Sequence, residues 1–287
     1  MENGHIQATG RDAKNRKQYR YHIRFREVRD EAKFERLIGF GKALPLIRQG
    51  VEAALALPGL PREKVLATVV YLLQTTMIRV GNDEYARQNQ SYSLTTLRNR
   101  HVRIDGSEVA FHFRGKSGVE HAIHVHDKRL ARIIKRIRDL PGQELFQYID
   151  ENGQRHSISS TDTNDYIREL TGESYTAKDF RTWSGSLLAA IALHELEAFD
   201  SETQAKKNVL NTVEAVAKKL GNTPAICRKC YIHPLIFTAY LNGSLGATLK
   251  KRINTQVLLS DRTSLNSAHA LSEIERALLD FLKEEVA

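Results

Sequence analysis

Hydrophobic and polar positions along the 287-residue chain change period several times. From Asp30 to Leu57 apolar residues recur at helical spacing around Phe34, Leu37, Ile38, Leu44 and Ile47, which predicts a helix with a break near Gly39–Gly41 or Pro45. The stretch LPGLPREKVLATVVYLLQTTMIR opens a second helix at Pro61, with Glu63 in its first turn, that runs to near Gly81. The period then falls to two in HVRIDGSEVAFHFRGKSGVEHAIHVHD. Turns at Asp105-Gly106 and at Gly115-Lys116-Ser117-Gly118 divide it into a three-stranded antiparallel meander. Helical spacing returns in DKRLARIIKRIRDL, SSTDTNDYIRELTG, TAKDFRTWSGSLLAAIALHEL, TQAKKNVLNTVEAVAKKLGN and SEIERALLDFLKEEV, with LFQYIDENGQRHSIS as a small hairpin among them. Near the N-terminus YRYHIRFR alternates as one short strand, which has to join a sheet to be stable. The pattern predicts a mainly α fold with a small antiparallel three-stranded β-sheet, an α+β chain without internal repeats.

Composition adds a partner class. Lysine and arginine number 43 against 34 acidic residues, for a net charge of +9. Such an excess suits a phosphate backbone, and no polybasic run flanks an amphipathic or lipidated segment that would point to a membrane. No apolar run is long enough to span a bilayer, and the N-terminal segment has no apolar signal core. Two cysteines make no disulfide framework, which points to a reducing, cytoplasmic compartment.

Three motifs suggest chemistry and fail on spacing. Gly115-Lys116-Ser117 lacks the glycine a phosphate-binding loop needs at position 110, where Ala110 stands, and it lies between strands. His124 and His126 share one strand face and His121 takes the other, so no metal-ligand set forms, and a solvated or DNA-facing sheet surface is expected. Cys227-x-x-Cys230 has no second pair for zinc, no βαβ setting for thioredoxin chemistry, and Tyr231 where haem attachment needs histidine. The cysteines and His233 are expected to be packing and surface residues, and no metal or cofactor is expected.

A scattered group remains: Arg79 in MIRVGNDEYA, Lys116 in FRGKSG, Arg181 in KDFRTW, Asn222 in LGNTP and Tyr231 in CRKCYIHP. In this order, with the flanking segments IRVGNDEYA, FRGKSG followed by a histidine, LPGQELFQY, YTAKDFRTWSG and AICRKCYIHP, the chain resembles the type IB DNA topoisomerases of the bacterial and poxvirus-like branch. The resemblance runs from GHIQATGRDAKNRKQYRYH through YIHP. It implies the catalytic fold shared by tyrosine recombinases and type IB topoisomerases, with double-stranded DNA as substrate and no need for ATP or metal.

By that resemblance Tyr231 is the nucleophile that forms a 3′-phosphotyrosine, Arg79 and Arg181 clamp the transition state, and Lys116 protonates the leaving 5′ oxygen. The chemistry suits these residue types. A phenol ionises far more readily than an aliphatic alcohol. Two forked, permanently charged guanidinium groups can hold the non-bridging oxygens. Asn222 stands where the family often has histidine; its amide can donate a hydrogen bond but cannot exchange a proton near neutral pH. Gln18, Tyr19, Tyr21, Gly81, Tyr85 and Lys178 are expected to contact DNA. Residues 1–26 are expected to be the C-terminal remnant of a β-rich N-terminal clamp domain and residues 27–287 the catalytic domain, with DNA binding weakened by the missing part of the clamp. A monomer at the bacterial nucleoid is expected. The rival readings are a tyrosine recombinase, whose usual His-x-x-Arg is here Lys178-Asp179-Phe180-Arg181, and a truncated DNA-binding form with impaired activity.

Overall fold

The computed structural model describes residues 4–13, 17–196, 199–250 and 270–286. It is a mainly helical body with small antiparallel sheets. Strands β1 (Ile6–Arg11) and β2 (Lys17–Tyr21) pair antiparallel. The single strand expected near the N-terminus therefore has its partner in residues 6–11. Its second half is not strand: helix α1 (Ile23–Ala56) begins at Ile23, where the His22 side chain accepts from the Arg24 N–H. The expected boundary between residues 26 and 27 thus falls inside α1.

No break interrupts α1 at Gly39, Gly41 or Pro45. A proline in a helix interior costs about 3 kcal/mol. Leu37, Phe40, Leu44, Ile47, Val51 and Leu55 nevertheless form one buried stripe straight through it, and each such side chain contributes roughly 1.5–3 kcal/mol. The two glycines permit close packing. A Cβ built on Gly39 would lie 2.4 Å from the Tyr175 hydroxyl, and one on Gly41 would lie 2.5 Å from the Trp183 ring.

Helix α2 (Arg62–Thr76) packs on α1 and ends at Met77, whose left-handed backbone (φ 56°) turns the chain toward Arg79, short of the expected end at Gly81. The short helix α3 (Asp83–Asn89) follows, capped by the Asn82 side chain on the Tyr85 N–H. The predicted meander is present as β3 (Val102–Asp105), β4 (Glu108–Arg114) and β5 (Glu120–His126), in that order and antiparallel throughout. Helix α4 (Lys128–Arg138) packs against β4. The small hairpin is β6 (Gln147–Ile149) with β7 (Arg155–Ser157).

Helices α5 (Ser160–Thr171), α6 (Ala177–Glu195) and α7 (Glu202–Leu220) stand where helical spacing places them. The short helix α8 (Pro224–Cys230) holds the cysteine pair, and two more short helices, α9 (Pro234–Leu241) and α10 (Ser244–Lys250), follow without a predicted counterpart. The final helix, α11 (Glu273–Val286), is pinned to the body by a buried ion pair. The Glu275 carboxylate takes both arms of the Arg48 guanidinium from α1, at 2.7 and 3.0 Å, and the Trp183 indole N–H from α6 at 3.3 Å. Such a pair fixes one docking geometry, because removing either partner strands a buried charge. No helix among the described residues is long and apolar enough to cross a membrane.

Candidate active site

The site forms where five segments meet: the loop after α2, the β4–β5 turn, α6, the α7–α8 corner, and the C-terminal end of α8. Each places its residue for a local reason. Arg79 follows the left-handed Met77. Lys116 rides a tight turn in which the Gly115 N–H donates to the Val119 carbonyl at 2.7 Å and the Gly118 N–H to the Gly115 carbonyl at 3.1 Å. Arg181 lies in the second turn of α6, past a capping box in which Thr176 and Asp179 satisfy one another's backbone donors. Asn222 follows Gly221, whose left-handed conformation (φ 59°) closes α7. Tyr231 is the C-cap of α8, its N–H donating to the Cys227 carbonyl at 2.9 Å.

These residues converge. Arg79, Lys116 and Arg181 line one cavity, together with His121 and Lys219. Arg79 Nη2 donates to the Gly221 carbonyl at 2.7 Å and also to Asn222 Oδ1. Arg181 is 4% exposed; it donates from Nη2 to the Leu220 carbonyl at 2.7 Å and from Nη1 to the Met77 carbonyl. Its guanidinium carbon stands 5.0 Å from the centroid of the Tyr231 ring. Lys116 Nζ is 5.7 Å from the centre of the Tyr85 ring. Carbonyls at a helix C-terminus carry partial negative charge, so the end of α7 steadies two like-charged guanidinium groups side by side.

The electrostatics are strained in one direction. Burial, then Arg79, pull Arg181 below its ordinary value, and Tyr231 opposes them. Burial also lowers Arg79, with Tyr231 and Tyr85 opposing. Guanidinium remains charged through such shifts, so the site is a focus of positive charge. Two donors there have no partner among the described residues: Arg181 Nε and Asn222 Nδ2, both out of contact with solvent. An unmade hydrogen bond at a buried donor costs about 1–3 kcal/mol. An anionic oxygen is the kind of acceptor that suits both donors.

Gly185 sets the position of Tyr231. A Cβ built on Gly185 would lie 2.4 Å from the Tyr231 carbonyl oxygen and 3.2 Å from its Cβ. Because the obstacle is backbone, Gly185→Ala has to displace the tyrosine corner. With Tyr231 as the nucleophile that the sequence resemblance implies, a displacement near 1 Å is expected to slow DNA cleavage about 10²-fold. Single-turnover cleavage, read beside an unfolding curve, checks this: the rate should fall far more than the stability.

The other expected contacts distribute unevenly. Tyr85 stands over Lys116, at the cavity's edge. Gly81 has φ 129° and no room for a Cβ, which would lie 2.6 Å from Thr95 Oγ1, so its backbone geometry requires glycine whatever else it touches. Lys178 is exposed one turn before Arg181. Gln18, Tyr19 and Tyr21 belong to β2, outside the residues lining the cavity, with Tyr19 and Tyr21 on one strand face and their rings stacked 6.1 Å apart. Cys227 is fully buried, its thiol pushed up to about 11 by burial, and packs as expected. His233 departs from the surface expectation. It is 4% exposed and caps α9 by accepting the Leu235 N–H on Nδ1; burial, then Lys33, lower it to about 4. His121, expected only as part of a solvated or DNA-facing sheet surface, instead lies in the cavity. The signal for it was its strand parity: it shares a face with Ile123 and Val125, opposite His124 and His126.

Comparison with known proteins shows the family of the chain. Residues 22–244 match the family model described as the catalytic core of eukaryotic DNA topoisomerase I. Over 254 residues the chain is 33% identical to DNA topoisomerase 1B of Acanthamoeba polyphaga mimivirus, covering 84% of this chain and 74% of that protein. It is 25% identical over 231 residues to DNA topoisomerase I of Monkeypox virus, covering 78% and 68% respectively. A 162-residue stretch is 27% identical to DNA topoisomerase 1 of Candida albicans, covering 54% of this chain and 20% of that protein.

Proposed function

Because the chain belongs to the type IB DNA topoisomerases, in their poxvirus-like branch, we propose that its DNA relaxation runs through Tyr231, Arg79, Lys116, Arg181 and Asn222. The Tyr231 oxygen attacks a backbone phosphorus and loses its proton to solvent. The P–O bond to the 5′ carbon's oxygen breaks, and that oxygen takes a proton from Lys116. The chain is left joined to the DNA 3′ end by a phosphotyrosine. Rotation of the free 5′ end releases supercoils, and the reverse attack reseals the strand. One ester replaces another at each step, so the cycle needs no ATP.

The observation that carries this reading is the pair of unpartnered buried donors, Arg181 Nε and Asn222 Nδ2, at a corner where two guanidinium groups and the Tyr231 ring meet. Donors already aimed at developing charge lower a barrier without reorganisation. Asn222 adds a hydrogen bond and no charge. In the same proposal Gln18, Tyr19, Tyr21, Gly81, Tyr85 and Lys178 hold the duplex. The β1–β2 strand pair is the end of a β-rich clamp domain, the catalytic domain runs from α1 onward, and the enzyme works as a cytoplasmic monomer at the bacterial nucleoid.

The experiment is relaxation of supercoiled plasmid in EDTA without ATP, with detergent added to trap intermediates. Relaxation is expected, with the protein captured on the 3′ side of the nick. Capture at a 5′ phosphate, or dependence on a divalent cation or ATP, would sink the proposal.

A further inference from the structure

The His121 imidazole fills a gap between two catalytic corners. Its flat face stacks on Phe113, with centroids 4.9 Å apart and planes within 15°. One edge meets Gly115, where an added Cβ would lie 2.6 Å from both Cδ2 and Nε2 of the ring. The ring also meets Gly221, where an added Cβ would lie 2.8 Å from its Cε1. Gly115 directly precedes Lys116, and Gly221 directly precedes Asn222. At both places the chain is bare where the ring needs room, so the imidazole spans from the hairpin tip to the end of α7.

The charges around it explain why the spacer is a histidine rather than a cation. Arg79 from the α2 loop, Lys116 from the turn, Arg181 from α6 and Lys219 from α7 line the same cavity, with Tyr92 beside them and Glu120 on its own strand. Burial, then Arg79 and Arg181, hold His121 below its ordinary value. At neutral pH the ring is therefore an uncharged spacer among cations. A lysine or arginine there would add repulsion to a crowded positive site.

We propose that His121 is a positioning residue that sets the reach of Lys116 toward the 5′ leaving oxygen, by wedging the β4–β5 turn against the Gly221–Asn222 corner. The proposal rests on Lys116 as the general acid. It predicts that loss of the ring damages leaving-group protonation and leaves the nucleophile and clamp intact.

The test compares single-turnover cleavage of two duplexes, one ordinary and one with sulfur in place of the bridging 5′ oxygen. A thiol is a far stronger acid than an alcohol, so the sulfur leaves without being handed a proton. On the ordinary duplex His121→Ala is expected to be slowed about 10²-fold and Lys116→Ala about 10²–10³-fold. On the sulfur duplex both should return to within a few-fold of wild type. His121→Gln, which keeps part of the side chain's length, should show the same recovery from a smaller defect. If Lys116→Ala recovers and the two His121 variants stay slow on both duplexes, the positioning role is overturned while the general acid stands. If Lys116→Ala does not recover, the general-acid assignment fails and takes this inference with it.

Discussion

A Tyr231→Phe protein is expected to bind DNA within a few-fold of wild type and to leave every supercoil in place. The substitution removes one oxygen. The ring remains where the Arg181 guanidinium packs on it at 5.0 Å. The backbone contacts that hold residue 231 are untouched, namely its N–H on the Cys227 carbonyl and the close approach of its carbonyl to Gly185. Fold and binding surface therefore survive, and only the attacking atom is lost. Without it no covalent intermediate forms, because a phenyl ring offers no nucleophile. Plasmid relaxation, detergent trapping and a binding titration read the three quantities separately. Measurable relaxation by the variant, or a detergent-stable adduct on it, would show that another group attacks.

Arg181→Ala is the second large effect. One oriented donor at a developing oxyanion is worth about 10²–10³-fold. The guanidinium offers a fork, so the variant is expected to cleave DNA roughly 10⁴-fold more slowly. Stability should fall as well, because the Leu220 and Met77 carbonyls lose their donor, at a cost on the order of 1–3 kcal/mol. The two effects separate by measuring single-turnover cleavage well below the variant's unfolding midpoint. Arg181→Lys restores the charge without the fork and should recover only part of the loss. Full recovery by lysine would mean that charge alone matters at this position.

Much of this architecture is visible in the pattern of the chain because local and tertiary demands agree there. The meander is legible since Val109, Phe111 and Phe113 face the core while His112 and Arg114 are exposed, and the small Ala110 is buried on the other face. Helix α1 is the informative disagreement. Gly39, Gly41 and Pro45 read as breakers by local propensity, and only the bodies of Tyr175 and Trp183, more than a hundred residues away, explain the two glycines. The strand β2 was legible, but its partner in residues 6–11 was not, because that strand is exposed along its whole length and carries no apolar alternation. The short helices α8 to α10 are too brief to display a period.

At the site, residue type and flanking sequence pointed to Arg79, Lys116, Arg181, Asn222 and Tyr231, and the first three line a common cavity. His121 is legible as a residue on the face opposite His124 and His126, but strand parity alone gives it no role, because only the fold brings Gly221 against its ring. His233 differs from its expectation because polarity suggests surface, while its ring, tilted against Phe34 with centroids 4.9 Å apart, is held inside as a helix cap.

Gly185 has a consequence for the whole proposed cycle. Because α6 presses its bare backbone on residue 231, the helix that carries Arg181 also fixes the tyrosine. Tyr231 and one arm of the proposed clamp, Arg181, are therefore held by the same helix, whereas Lys116 sits on a separate lever, the exposed tip of the β4–β5 hairpin. While the cut strand swivels, the phosphotyrosine stays in a fixed frame, ready for the return attack. What varies is how often the lever and the incoming 5′ hydroxyl arrive together. The lifetime of the nick, and so the number of turns released per cut, is then governed by stiffness in the hairpin. Substitutions that loosen the tip should slow cleavage and resealing alike, and the slower resealing should lengthen each swivel.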